Sequence, residues 1–161
     1  VILFPYTVDK QNPEARTRIE VHAPGPVDYV EIDPARPGHY AEVLVQAWAQ
    51  PGDLVIVEHD IGIRRYVIEE LLACDQPWCG FPYRIGEQLL VCLGCTRFTA
   101  HLKASLPGLM AEAAAIGTEQ DGGGVPAADW RRMDVRIAAC LERLGHHRHA
   151  HWPPVDHFHT Y

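Results

Sequence analysis

No stretch of this chain approaches the ~20 consecutive apolar residues needed to cross a bilayer as a helix. The longest apolar runs, such as "LLVCLGC", are far shorter, and no basic start leads into an apolar signal region. A cytoplasmic protein without a membrane partner is therefore expected. Basic charge is also scarce: 14 Lys and Arg stand against 21 Asp and Glu, for a net charge of -7. General gripping of nucleic acid, which releases counterions to a basic surface, is disfavoured. Arg131, Arg132, Arg136 and Arg143 share one predicted helix and read equally well as a local patch or as solvated helix charge. Five cysteines, an odd number, do not form a disulfide framework in a chain without a secretion signal and read as thiols or metal ligands. No internal repeat is visible. With 47% hydrophobic and 22% charged residues, the 161-residue chain has the makings of one globular domain spanning 1–161.

Along the chain, "VILFPYT" reads as a buried first strand, and "RIEVHA" and "YVEID" as two further strands, the last broken by "PARPG". Tyr40, Val43, Leu44, Ala47 and Trp48 recur at helical spacing until "QPGD". "DLVIVEHD" is the next strand, followed by a helical stripe of Ile63, Val67 and Leu71. "DQPWCGFPY" turns the chain, "QLLVCLG" reads as a strand, and "CTRFTAHLKASLPGLMAEAAAIG" as one or two helices divided at Pro107 and Gly108. "TEQDGGGVPAA" has no apolar period, so residues 118–128 are expected to form a mobile loop. Asp129 can cap a last helix with the stripe Trp130, Met133, Ile137, Leu141 and Leu144, ended by Gly145. The histidine-rich tail allows a strand before Pro153 and another after Pro154. Strands alternating with helices predict an α/β fold with a mostly parallel central sheet flanked by helices.

Sites in such folds lie beyond the carboxyl ends of the strands. "DLVIVEHD" ends there with Glu58, His59 and Asp60. Period two points the two carboxylates to one face, where they repel unless a cation or donor-rich ligand separates them. Mg or Mn accepts such oxygen ligands and keeps positions open for phosphates; acidic residues also solvate strand ends. Asp134, early in the last helix, suits a general base for a hydroxyl nucleophile, and equally a carboxylate stabilising its own helix. In "VDHFHTY", His157 and His159 share one face of an extended segment and can ligate Mn-like or Zn-like ions.

The order of "VILFPYT", "VIVEHDI", "LGCTRFTAHL", "DWRRMDVRIAACL" and "DHFHTY" resembles a compact metal-dependent glycosyltransferase with the A-type, Rossmann-like nucleotide-sugar fold. The motifs "VEHDI", "WCGFPY" and "LGCTRF" resemble wording in small glycosyltransferase-like proteins of actinobacteria and their phages. The resemblance covers most of the chain. It implies a nucleotide-diphosphate sugar donor, with UDP-sugar first, and Mn2+ or Mg2+ as cofactor. By the same resemblance "EHD" stands for the family's Asp-x-Asp, with Glu58 in the first place and Asp60 as principal metal ligand. His157 or His159 completes the metal site, and Asp134 becomes the base of an inverting transfer. Met133 stands where the family usually has the first of two adjacent acids. Pro5, Tyr6, Thr7 and Asp33 would contact the nucleotide, and Gly94 would let backbone approach the donor sugar or acceptor. The acceptor stays open among glycans, small molecules, proteins and a modified DNA base.

Rival readings carry their own residues. Cys74, Cys79, Cys92 and Cys95 form C-x4-C then C-x2-C, the spacing of a structural zinc site in a Cys/His interaction domain, although Cys92 also fits a buried strand. A non-catalytic nucleotide-sugar binder, and metal-assisted hydrolysis at the same carboxylates, complete the set.

Overall fold

The computed structural model describes residues 1–90, 93–116 and 130–158. The expected loop at 118–128, Asp129, Cys92 and His159 lie outside the described residues. In chain order the elements are β1 (Ile2–Tyr6), α1 (Pro13–His22), β2 (Val27–Glu31), α2 (His39–Ala49), β3 (Leu54–Val57), β4 (Ile61–Gly62) and α3 (Val67–Ala73). They continue with β5 (Trp78–Gly80), β6 (Tyr83–Ile85), β7 (Gln88–Leu90), β8 (Cys95–Phe98), α4 (Ala100–Ser105), α5 (Leu109–Ala115), α6 (Trp130–Arg143), β9 (His149–Ala150) and β10 (Asp156–His157).

Among the described residues, six strands form the central sheet in the order β2-β1-β3-β8-β5-β9. β1 is parallel to β2 and β3, β9 is parallel to β5, and β8 runs antiparallel between β3 and β5. The sheet is thus mostly parallel and flanked by helices, the α/β arrangement expected from the sequence. Strand alternation divides the core between its two faces. Leu54 and Ile56 pack with Tyr40, Leu44, Met110 and Ile137 beneath α2, α5 and α6. Val55 and Val57 pack with Phe4, Ile19, Ile68 and Leu71 beneath α1 and α3. Each such fully buried large side chain contributes about 1.5–3 kcal/mol. The α6 stripe is buried through Met133, Ile137 and Leu141, while Leu144 is exposed and Gly145 takes the positive φ of 81° that ends the helix.

Three expectations give way. "RIEVHA" lies in helix α1, because Asn12 Oδ1 accepts from the amides of Glu14 and Ala15 and Pro13 occupies the first helical turn. Its buried residues are Ala15 and Ile19, one turn apart, while Val21, inward in the alternating reading, is 69% exposed. The segment from Cys95 is not helical at its start: Cys95–Phe98 form β8, buried on both faces, and the helix begins only after Thr99, whose Oγ1 accepts from Leu102 N at 3.1 Å. "DQPWCGFPY" contains β5 as well as a turn, held between β8 and β9.

Candidate functional site

The parallel strands β1, β2 and β3 end on the same side of the sheet, and the chain leaves β3 directly into Glu58. The Glu58 amide donates to Gly94 O at 2.9 Å, fixing the turn. Tyr40 of α2 donates its hydroxyl to Glu58 Oε1 at 2.7 Å. Asp134, from α6, is near enough for its charge to act on both Glu58 and Tyr40. His59 donates from its ring to the backbone carbonyl of Pro5, which as proline has only an oxygen to offer.

Asp60 is met from the far end of the sequence. β10 pairs antiparallel with β4, setting His157 opposite Ile61, and Phe158 N donates to Asp60 O at 2.7 Å. His157 Nε2 consequently lies 3.2 Å from Asp60 Oδ2, with side chains only 10% and 23% exposed. The Tyr83 ring stacks on His157 with centroids 5.0 Å apart. Gly94 is needed beneath it: a Cβ there would meet Tyr83 Cε1 at 2.6 Å and Ile61 Cδ1 at 3.0 Å. The side of Gly94 that a Cβ would occupy is filled by Tyr83 and Ile61.

Burial, reinforced by the charge of Asp60 and by Asp134, pushes the Glu58 carboxyl up to about 7 against the opposing hydrogen bond from Tyr40 and the charge of His157. Burial also pushes Asp60 up, but the hydrogen bond from His157 and the charges of His59 and His157 more than offset it, leaving Asp60 below its ordinary value. Two neighbouring carboxyls whose environments push them apart are equipped for different roles. Tyr40 is itself buried and held well above its ordinary value, so it is a neutral donor.

The structure therefore gathers Glu58, Asp60, Asp134 and His157 from three parts of the chain: the turn after β3, α6 and β10. Pro5, Tyr6, Thr7 and Asp33 lie along the adjoining ends of β1 and β2. Tyr6 pairs with Glu31 and accepts from Ile32 N at 2.7 Å, while Asp33 Oδ1 accepts from Ala35 N at 2.9 Å and shapes the turn after β2. Thr7 Oγ1 and Gln11 Nε2 are buried without a hydrogen-bond partner at this mouth, a cost of about 1–3 kcal/mol each unless something binds them. Tyr40 and Tyr83 were not singled out by sequence reasoning. Tyr40 sits on an apolar helical stripe; its only signal was that a buried tyrosine needs a partner for its hydroxyl.

Among the described residues, the one group of three or more Cys, His, Asp and Glu whose ligand atoms all lie within 4.8 Å of one another is Cys74, His149 and His151. Among the described residues, no group of three or more of these side chains within that limit includes Asp60 and His157. Cys79 and Cys95 are buried, and burial pushes each thiol up to about 12, which disfavours the thiolate a metal needs. A cavity of about 670 Å³ lined by Val1, Pro24, Asp28, Asp53 and Leu72 opens elsewhere, at the start of β3, where Asp53 is already paired with Arg97.

No helix among the described residues is long and apolar enough to cross a membrane. No protein-family model matches the chain, and no curated protein does. Eighteen chains of solved structures match it. Among them is a crystal structure at 1.90 Å resolution from Desulfovibrio desulfuricans G20, described as a "putative nucleotide-diphospho-sugar transferase"; it is 11% identical, the match covers 99% of this chain and 81% of that one, and the TM-score is 0.48.

Proposed function

We propose that the protein transfers a sugar from a nucleotide-diphosphate sugar to an acceptor hydroxyl with inversion, at the site built from Glu58, Asp60, Asp134 and His157. The observation that carries this reading is the convergence of three carboxylates and a histidine at the carboxyl end of β3. The donor set suits Mn2+ or Mg2+: Asp60 is held in its ionised form and His157 lies 3.2 Å from it. A divalent ion would be held by these two residues and would neutralise the charge gathering on the departing diphosphate.

The nucleotide would lie across the ends of β1 and β2, against Pro5, Tyr6, Thr7 and Asp33, with the unpartnered Thr7 hydroxyl and Gln11 amide as donors toward it. Asp134 takes the proton from the acceptor hydroxyl as its oxygen bonds to the anomeric carbon. The bond from that carbon to the diphosphate oxygen breaks, and its electron pair leaves with the nucleoside diphosphate. Tyr40 holds Glu58 in place, so that one carboxyl of the turn is fixed while Asp60 faces His157.

Release of nucleoside diphosphate from a panel of nucleotide sugars in the presence of Mn2+ tests the reading. Turnover should need the metal and fall on the order of 100-fold or more in both Asp60→Asn and Asp134→Asn. Failure of every nucleotide sugar either to turn over or to raise the melting temperature, with Mn2+ or Mg2+, would sink it.

A further inference from the structure

We infer that Cys74, His149 and His151 form a zinc site, separate from the carboxylate cluster, that clamps the edge strand β9 to the end of α3. The ligand atoms of these three residues all lie within 4.8 Å of one another. A tetrahedral zinc with Zn–S of ~2.3 Å and Zn–N of ~2.0 Å sets its ligands roughly 3.3–3.8 Å apart, so small rotations of the side chains close the site. One thiolate and two imidazoles are a donor set that zinc favours over Mg or Mn.

The fold explains why these three meet. His149 and His151 are two residues apart on an extended segment, so both rings project from one side of the edge strand. β9 pairs with β5 through Cys79↔His149 and Gly80↔Ala150, and His151 N donates to Gly80 O at 3.0 Å. Cys74 closes α3, and its carbonyl is pinned by Arg97 Nη1 at 2.6 Å. The two histidine rings stand perpendicular, at 87° with centroids 4.9 Å apart, and Phe81 stacks on His151 at 5.0 Å.

A second observation points to a ligand. Nε2 of His151 is buried and has no hydrogen-bond partner, which is costly for an imidazole unless something coordinates or bonds the ring. Cys79, next to Cys74, stays out of the set: it is fully buried and points its thiol at Leu71 O, 3.8 Å away. Among the described residues the site thus has three protein ligands, of which His149 is exposed.

The test is metal analysis of the whole chain, carried without a histidine tag and purified without added zinc, followed by cobalt substitution. One zinc per chain should survive dialysis, and Co2+ should give the intense near-ultraviolet band of thiolate coordination. Cys74→Ser should abolish that band, and His149→Ala, at an exposed position that tolerates truncation, should weaken zinc retention roughly 100-fold. Asp60→Asn should keep both the zinc and the band. Zinc content unchanged in both Cys74→Ser and His149→Ala, zinc lost with Asp60→Asn, or a cobalt complex without a thiolate band in the wild type would each overturn the assignment.

Discussion

Replacing Glu58 by Gln isolates the electrostatic cost of the strand-end carboxyls. In the fold this carboxyl titrates at about 7, against 4.5 for an ordinary glutamate. The folded state therefore keeps a proton that the unfolded chain releases, and stability falls as pH rises between those values. The contribution is fully present below about pH 4.5 and gone above the folded value. A shift of this size corresponds to about 3 kcal/mol, and the partial exposure of Glu58 brings the expected loss nearer to 2 kcal/mol. Gln keeps an oxygen to accept from Tyr40 and has no charge to bury. Urea denaturation in EDTA, followed by tryptophan fluorescence from pH 4.5 to 8, should show wild type losing about 2 kcal/mol relative to Glu58→Gln. His59 and His151, whose pKa values burial lowers, are present in both proteins and cancel in the difference. Asp60, already ionised above its lowered value, contributes no slope there. A stability difference that stays flat across the range would refute the argument that Glu58 is charged at a desolvation cost. Saturating Mn2+ should shrink the wild-type loss, because a cation bound at the turn favours the ionised carboxyl.

Other positions give independent outcomes. Gly94→Ala places a Cβ 2.6 Å from Tyr83 Cε1 and should cost about 1–3 kcal/mol in chemical denaturation, with displacement of the His157 ring visible in its proton chemical shifts. Asp53→Ala strips the carboxylate from Arg97, a side chain only 8% exposed that is left with the Cys74 carbonyl, and the acceptor from Ala100 N. A loss of about 3 kcal/mol in urea is expected, with the melting-temperature rise from a nucleotide at the other end of the strand unchanged. Asn12→Ala removes the cap of α1 and should cost about 1 kcal/mol; a Gly variant should recover most of it in the same measurement.

The parts of the fold legible in the sequence were those whose period was unbroken over several residues. β3 and α2 carry apolar patterns that tertiary packing reinforces, and both stand where the sequence puts them. The segment "RIEVHA" misleads because Ile19 and Val21 alternate, although only Ile19 and its neighbour a turn back, Ala15, reach the core. Asn12-Pro13 was the usable signal there, a cap followed by a residue whose φ suits the first helical turn. β8 was hidden for the opposite reason: an interior strand covered on both faces shows no alternation, and "CTRF" merges into the helix behind it. At the site, the acids at the end of β3 were legible from their position, and so was His157 as a ligand candidate, but the meeting of Asp60 with His157 depends on the β4–β10 pairing, nearly a hundred residues long in sequence. Cys74, His149 and His151 were invisible as a set for the same reason. Cysteine spacing groups Cys74 with other cysteines, whereas the sheet order sets it against the last edge strand.

The terminal segment binds these observations into one physical argument. β9 and β10 have two residues each, far too little ladder to hold an edge by themselves. The chain between them is tied by Val155 N to Pro82 O at 2.9 Å and by Arg64 Nη1 to Pro154 O at 3.2 Å, and it then delivers His157 to Asp60. A metal on His149 and His151 would anchor the start of this segment, and a ligand on Asp60 and His157 would anchor its end. Each event orders chain that the other needs ordered, so occupancy of one should raise affinity at the other. By linkage the effect must be reciprocal. Zinc removal should therefore weaken Mn2+-dependent nucleotide binding severalfold in calorimetry, and His149→Ala should reproduce that loss although its ring touches neither carboxylate of the turn. Equal nucleotide affinity with and without zinc would show that the hydrogen bonds to Pro82 O and from the Arg64 side chain suffice to hold His157 in place.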